Sequence, residues 1–423
     1  MQRSLTERDQ QVIWHPYTQH KQMIPPVPIV YGKGALLFDE SGNAYIDAIS
    51  SWWVNIHGHA HPYIAEKIYE QARILEHVIF TGFTHEPAVL LAERLLPLLP
   101  GDFSRIFYSD NGSTAVEVAI KMSIQYWKNK SAKKTKILAF HHSYHGDTFG
   151  SMSVSDRSVF TAAFDDYLFE VIFIDVPAPG NMEELKQKLN QYAGEIACFI
   201  YEPLLQGAGG MRMYDAGLMD ELLQAVQSRD IICISDEVLT GFGRTGKLFA
   251  GEYLKHQADI LCLSKGISGG TMALGVTACS QRIFEAFLSD DRSKTFFHGH
   301  SFTANPIACS AALASLDLLQ KEDCLRSIQN ISFQNKKFIS GLESSNEKRR
   351  IKNIRQLGTI AAFEIITGND EYLNNISFSV TKQAMENGIY VRPLGNTVYI
   401  MPPYCISGEE LEKVYDFLTH LKI

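Results

Sequence analysis

The chain has 423 residues, room for two or three domains, and its 45% hydrophobic and 20% charged residues supply a sizeable core and exclude general disorder. Lys and Arg number 39 against 47 Asp and Glu, a formal charge of −8, so no nucleic-acid partner is expected. No run reaches the roughly 18 consecutive apolar residues of a membrane span. The polar stretch Met1 to Gln10 has no apolar segment of the kind a secretory signal needs. Seven cysteines stand singly, without a CxxC pair, and read as reduced core thiols. A cytoplasmic protein with no membrane contact is expected.

Pro25, Pro26 and Pro28 interrupt the first segment, and ALLFDESGNAYIDA then reads as a hairpin turning at Asp39-Glu40-Ser41-Gly42. From about residue 60 helical and strand patterns alternate. The helical segments are PYIAEKIYEQARILEHV, EPAVLLAERLLPLL, STAVEVAIKMSIQYW and AGLMDELLQAVQSR. Between them lie the short apolar runs RIFYS, KILAF, EVIFI, IACFI, IICIS and ILCLS. Continuous apolar runs of that length are strands covered on both faces, so the alternation predicts an α/β fold with a mostly parallel sheet flanked by helices. Beyond about residue 325 a charged helical stretch, SFQNKKFISGLESSNEKRR, precedes GTIAAFEII, IYVRPLGNTVYIMPP and a closing helix in SGEELEKVYDFLTHLKI. The expected division is residues 1–58 as an N-terminal part of a small domain, 59–324 as the large domain, and 325–423 as a smaller α+β unit.

Three patterns offer chemistry that the local context does not support. Gly241-Phe242-Gly243-Arg244-Thr245-Gly246 matches a dinucleotide fingerprint, but Asp236 to Thr240 separate it from the preceding strand and no helix opens at its end, so a glycine-rich loop is expected. His57, His59 and His61, and His141, His142 and His145, are spaced like metal ligands. Gly58 and Pro62 argue for a loop, and no nearby fourth ligand completes a zinc site, so no metal is expected. Trp52-Trp53 reads, on composition, as core aromatics.

Two apolar strands end in charge. IICISDEV finishes in Asp236 and Glu237, and ILCLSKG, one crossover further on, finishes in Lys265. Charges at such ends are costly to desolvate unless paired, and the carboxyl edge of a parallel sheet is where ligands bind. A structural Asp–Lys ion pair and a functional pair are equally compatible with that placement. A third feature favours function: Tyr108-Ser109-Asp110-Asn111-Gly112-Ser113-Thr114 leads into a helix predicted over Ala115–Tyr126. Ser113 or Thr114 is the expected cap, with Glu117 completing a capping box, and a Gly-Ser-Thr helix start presents N–H groups to a phosphate. An amine, a carboxylate and a phosphate cradle together suggest pyridoxal 5′-phosphate. Lys265 would form the Schiff base, Asp236 would hold the pyridine nitrogen protonated, and the helix start would take the phosphate.

SDEVLTGFGRTGKLFA followed by SKGISGG resembles the class III, fold-type I aminotransferases. So do GNAYIDAISSWW, YSDNGSTAVEVAIKM, FHHSYHGDTFGSMSVS, YEPLLQGAGGM and HGHSFTANPIAC, over nearly the whole chain. The resemblance implies a pyridoxal-phosphate-dependent amino transfer with Lys265 as Schiff-base lysine and Asp236 as partner of the ring nitrogen. It implies that Gly112 and Ser113 bind the phosphate, that Tyr144 lies against the ring, and that Tyr17, Trp52, Gly299 and Arg392 contact substrate. His300 and Ser301, standing where many relatives have Pro-Thr, would complete the phosphate site from the other subunit, so a homodimer with shared active sites is implied. Asp147 is a weaker pocket candidate. Four motifs, WHPYTQ, Ser-Trp-Trp, SYHGDT and RPLGNTVYIMPP, resemble the branch that makes 7,8-diaminononanoate in biotin synthesis. That branch implies S-adenosylmethionine as amino donor and 8-amino-7-oxononanoate as acceptor. The alternatives are lysine as donor, another ω-amino-acid transaminase of the class, a non-catalytic cofactor binder, and a metal hydrolase built on the histidines. Tyr17 in place of phenylalanine leans toward S-adenosylmethionine, and retention of Lys265, Asp236 and Arg392 together argues for catalysis.

Overall fold

The structure, a computed structural model, describes residues 3–192, 194–344, 350–366, 368 and 373–422. Among these, seven strands form the central sheet, in the order Phe103–Ser109, Gly275–Ser280, Ile260–Leu263, Ile232–Asp236, Ile196–Tyr201, Lys136–Phe140 and Ile172–Ile174. The five from Ile260–Leu263 onward pair in parallel, whereas Gly275–Ser280 runs antiparallel to both its neighbours. Each run read as a strand is one, within a residue or two. Gly275–Ser280, half of it polar or small, carries too little apolar pattern to be read as a strand from its residues.

Burial explains the apolar runs. Every residue of Ile196–Tyr201 and of Ile232–Asp236 is buried. The helix Gly112–Asn129 covers one face with Ala115, Val116, Ile120 and Tyr126 against Ile137, Ile200, Ile234 and Cys262. The helix Ala216–Gln227 covers the other with Met219, Leu222 and Leu223 against Phe199 and Cys233. Each such Leu or Phe contributes roughly 1.5–3 kcal/mol of apolar transfer.

Two helical expectations need correction. The helix of the Gly-Ser-Thr motif runs Gly112–Asn129, not Ala115–Tyr126, and its cap is Asn111, whose side chain accepts the Thr114 N–H while the Thr114 hydroxyl accepts the Asn111 N–H. Ser113 is left uncommitted to capping, and Glu117 instead accepts the Thr148 hydroxyl and the Gly150 and Ser151 N–H groups. The helix Pro62–Ala72 stops well short of Val78, since Ile74 beyond it is 80% exposed and finds no core.

The predicted hairpin is Leu36–Asp39 against Ala44–Asp47, with Gly42 at φ 84° in the turn. Ile389–Tyr390, from the far end of the chain, adds to it in parallel, so the N-terminal and C-terminal segments share one sheet. Beside it Ile351–Leu357, Ile360–Ile365 and Thr397–Ile400 make an antiparallel three-stranded sheet, packed under the helices Glu322–Ser344 and Gly408–Thr419. The charged helical stretch is therefore helix as far as Ser344, and its residues 345–349 lie outside the described residues. No helix among the described residues is long and apolar enough to cross a membrane.

Candidate active site

Three neighbouring parallel strands deliver their C-terminal ends to one place. Ile196–Tyr201 leads directly to Glu202, Ile232–Asp236 ends on Asp236, and Ile260–Leu263 leads through Ser264 to Lys265. All three side chains line one cavity of about 670 Å³, at the sheet edge where parallel folds bind ligands. Asp236 is fixed on both oxygens: Oδ1 accepts the Val238 N–H at 3.0 Å, and Oδ2 lies 2.7 Å from Nδ1 of the buried His145, whose N–H donates to it. Lys265 holds φ 46°, the left-handed region that non-glycine residues avoid at a cost of about 1–3 kcal/mol, a strain characteristic of functional positions. Its Nζ sits 4.7 Å from the centroid of the Trp53 ring. Burial pulls the Lys265 amine down to about 8, with Asp236 and Glu202 pushing the other way. An amine so placed spends an appreciable fraction of its time neutral near pH 7, as a nucleophile must.

The expected phosphate cradle opens into the same cavity, lined by Asn111, Gly112 and Ser113. Ser113 Oγ lies 2.7 Å from Thr148 Oγ1 and 2.6 Å from Ser151 Oγ, a hydroxyl cluster at the helix N-terminus. The glycines keep this space open: a Cβ on Gly112 would stand 2.7 Å from Val238 Cγ1. One on Gly146, at φ 132°, would stand 2.4 Å from Ser113 Oγ. Tyr144 and Gly146 line the same cavity, so an amine, a carboxylate and a hydroxylated helix start share its walls. Those donor and acceptor types fit pyridoxal phosphate.

A second cavity of about 400 Å³ adjoins it, lined by Tyr17, Trp52, Trp53, Tyr144, Phe160, Lys265, Arg392 and Leu394. Tyr17, Trp52 and Phe160 form an aromatic wall, with Tyr17 ring centroids 5.4 Å from Trp52 and 5.9 Å from Phe160. The Tyr17 hydroxyl donates to the Asp147 carboxylate and lies 3.2 Å from the Tyr144 hydroxyl. Burial and these neighbours push the Tyr144 phenol far above its ordinary range, so it stays protonated. The Arg392 guanidinium stacks 4.8 Å above the Trp52 ring.

The tryptophans are aimed by a left-handed turn: Ser50, Ser51, Trp52 and Trp53 have φ of 52°, 44°, 75° and 76°. Each costs roughly 1–2 kcal/mol, and the turn is held by Ser50 Oγ donating to the Met401 carbonyl and Ser51 Oγ donating to Asp47, both at 2.7 Å. Trp53 is thereby buried under Lys265, its Nε1 donating to the Tyr399 hydroxyl, while Trp52 faces Arg392. Trp53 is core and Trp52 is wall, so the reading of the pair as core aromatics holds for one only.

Gly112, Ser113, Tyr144, Asp236 and Lys265 thus share one cavity, and Tyr17, Trp52, Tyr144, Lys265 and Arg392 the next. Gly299, His300 and Ser301 line neither. They lie in the loop before the helix Pro306–Leu319, with Gly299 and Ser301 exposed. Residue-level reading missed His145, Glu202 and Phe160. Glu202 follows an apolar strand as Asp236 does, and that signal was available. His145 is one of three closely spaced loop histidines, and nothing in that spacing marks it as the partner of Asp236. The remaining histidines diverge: His57 Nε2 lies 3.0 Å from the Ser315 carbonyl and His59 Nε2 2.9 Å from Asp47. The glycine-rich segment is a loop, as expected, and its Arg244 is buried, donating to the carbonyls of Trp53 and Pro402.

A fold and a site of this kind define a class. The family model for class III aminotransferases matches residues 17–421, and the chain belongs to that family. A relative from Synechococcus elongatus, named adenosylmethionine-8-amino-7-oxononanoate aminotransferase, is 44% identical over 97% of this chain and 98% of its own. The crystal structure of the enzyme of that name from Methanocaldococcus jannaschii superposes with a TM-score of 0.93 at 33% identity, covering 99% of both chains. An omega transaminase from Pseudomonas jessenii, solved in complex with PMP, superposes at 0.91 with 26% identity, covering 99% of this chain and 97% of that one.

Proposed function

We propose that this aminotransferase moves the amino group of S-adenosylmethionine to 8-amino-7-oxononanoate, giving 7,8-diaminononanoate for biotin synthesis, with pyridoxal 5′-phosphate as cofactor. The observation that carries it is the convergence of Lys265, Asp236 and the Gly112-Ser113 helix start on one cavity, opening into an aromatic one that holds Arg392. The relatives that carry the matching name supply the substrates. When bound, the cofactor supplies an aldehyde for an amine and a ring that withdraws electrons.

Gly112 and Ser113 bind the phosphate. Asp236, oriented by His145 and the Val238 N–H, holds a proton at the ring nitrogen. Tyr144 would lie against the ring, and its hydroxyl contact with Tyr17 sets the cavity wall. Lys265 Nζ, which burial shifts toward the neutral form, would take the proton from the substrate carbon and deliver it, across the nitrogen, to the carbon that was the cofactor's aldehyde. Arg392 grips a carboxylate, which donor and acceptor both carry, so one arginine serves both half-reactions. Tyr17, Trp52 and Phe160 exclude water around the apolar chain and face the sulfonium of the donor with aromatic surface.

Gly299, His300 and Ser301 lie outside this chain's own cavity, which supports a homodimer in which His300 and Ser301 of the partner subunit close the phosphate site and Gly299 of the partner subunit meets substrate. A cytoplasmic location and the division 1–58, 59–324 and 325–423 belong to the same reading.

The test separates donors. Protein loaded with pyridoxal phosphate is offered S-adenosylmethionine or lysine, and conversion of the pyridoxal absorbance to that of pyridoxamine phosphate is followed. The charged protein is then given 8-amino-7-oxononanoate. S-adenosylmethionine is expected to discharge the absorbance and the second addition to restore it. Discharge by lysine instead, or no restoration by 8-amino-7-oxononanoate, would overturn the assignment.

A further inference from the structure

Glu202 has no place in the chemistry so far described, yet it stands at the end of the strand next to that of Asp236 and is only 6% exposed. Its carboxylate bridges two loops: Oε1 accepts the Tyr144 N–H at 3.1 Å and Oε2 the Gly207 N–H at 2.8 Å. Among the described residues it has no ion pair with a basic side chain. A buried acid held by backbone donors is costly to keep, and burying it in a ligand cavity rather than in the core points to a task there.

The groups facing it come from every neighbouring element. Tyr144 and His145 lie on the loop after Lys136–Phe140, Asp236 on the adjacent strand, Lys265 beyond it, and the Tyr214 hydroxyl donates to the Glu202 carbonyl. Arg244, buried nearby, opposes the charge on Lys265. Three adjacent strands thus present two carboxylates and one amine side by side.

We propose that Glu202 is a positioning residue of the amino-transfer site, fixing the backbone that presents Tyr144 to the cofactor ring and setting, as the pocket's second acid, the charge on Lys265. Deletion of either hydrogen bond frees the Tyr144 loop from the Gly207 turn, and deletion of the charge leaves Asp236 as the principal acid beside the amine. The electrostatics agree: burial pushes the Glu202 carboxyl up to about 7 with His145 pulling it down, and Glu202 is among the groups that raise Lys265.

This inference rests on the assignment of Lys265 as the lysine that carries the cofactor. The test therefore reads the lysine and not turnover: cofactor-free protein is mixed with pyridoxal phosphate across a pH series, and the recombination rate is followed by absorbance. Attack needs the neutral amine, so the rate rises with pH through the Lys265 midpoint. Glu202→Gln removes the charge that favours protonated Lys265 and is expected to move that midpoint down by at least about half a pH unit. Glu202→Asp, which withdraws the charge by one methylene, is expected to fall between Glu202→Gln and the unsubstituted protein, and it reads the same quantity if Glu202→Gln does not fold. Equal midpoints in the folded variants and the unsubstituted protein would overturn the proposal. Absence of recombination absorbance in the unsubstituted protein would overturn the Lys265 assignment instead, and this proposal with it.

Discussion

Asp236 shows how much of this site depends on neighbours that touch no substrate. One of its oxygens is held by the Val238 N–H and the other by His145, so the carboxylate plane is set before any ligand arrives. Preorganisation of that sort lowers the cost of binding because nothing has to be ordered on arrival. His145→Ala removes the ring that orients Oδ2 and leaves a hole in a buried wall. It is expected to weaken retention of pyridoxal phosphate at least about tenfold, equivalent to some 1.4 kcal/mol, read as loss of cofactor on equilibrium dialysis. Retention and absorbance maximum both unchanged would show that Val238 alone suffices. Lys265 illustrates the opposing balance, since burial lowers its charge and two acids partly restore it.

At the scale of elements, what could be read in the sequence follows from what each element buries. The strands of Ile196–Tyr201 and Ile232–Asp236 are buried on both faces and therefore spell themselves as unbroken apolar runs, and the acids and lysine beyond such runs marked the site. The antiparallel strand Gly275–Ser280 was illegible because small and polar residues satisfy it between two neighbours. The helix cap was misread for a different reason: Asn111, Ser113 and Thr114 are all good caps, and only the backbone turn selects Asn111. The turn Ser50–Trp53 has no local signal at all, because a left-handed conformation normally demands glycine and here is imposed by contacts from Met401 and Asp47, the former 351 residues away from Ser50. The placement of Lys265 and Asp236 in one cavity was legible because each ends an apolar strand in a charge, Arg392 was marked only by the family resemblance, and His145, which orients a neighbour, carried no signal.

Over the whole molecule, the cavity draws on both ends of the chain. Tyr17 and Trp52 come from the N-terminal segment and Arg392 and Leu394 from the C-terminal one, and the parallel pairing of Ile389–Tyr390 with Ala44–Asp47 ties those segments together. The loop bearing Gly299, His300 and Ser301 is displayed outward, with Phe297 and Phe302 exposed at 74% and 64%, an arrangement suited to covering by a second copy. If each site takes Ser301 from the other subunit, Lys265→Ala and Ser301→Glu chains, each inactive as a pure dimer, complement one another. Their equal co-expression is expected to restore about a quarter of the original activity, since one site in the mixed dimer is intact. No activity above that of the separate variants would place both residues within one chain's site. All of this depends on a single covalent attachment. Borohydride reduction of the cofactor-loaded protein, followed by digestion and mass spectrometry, is expected to find the phosphopyridoxyl group on Lys265, whereas a label on a different lysine, or on none, would contradict the account.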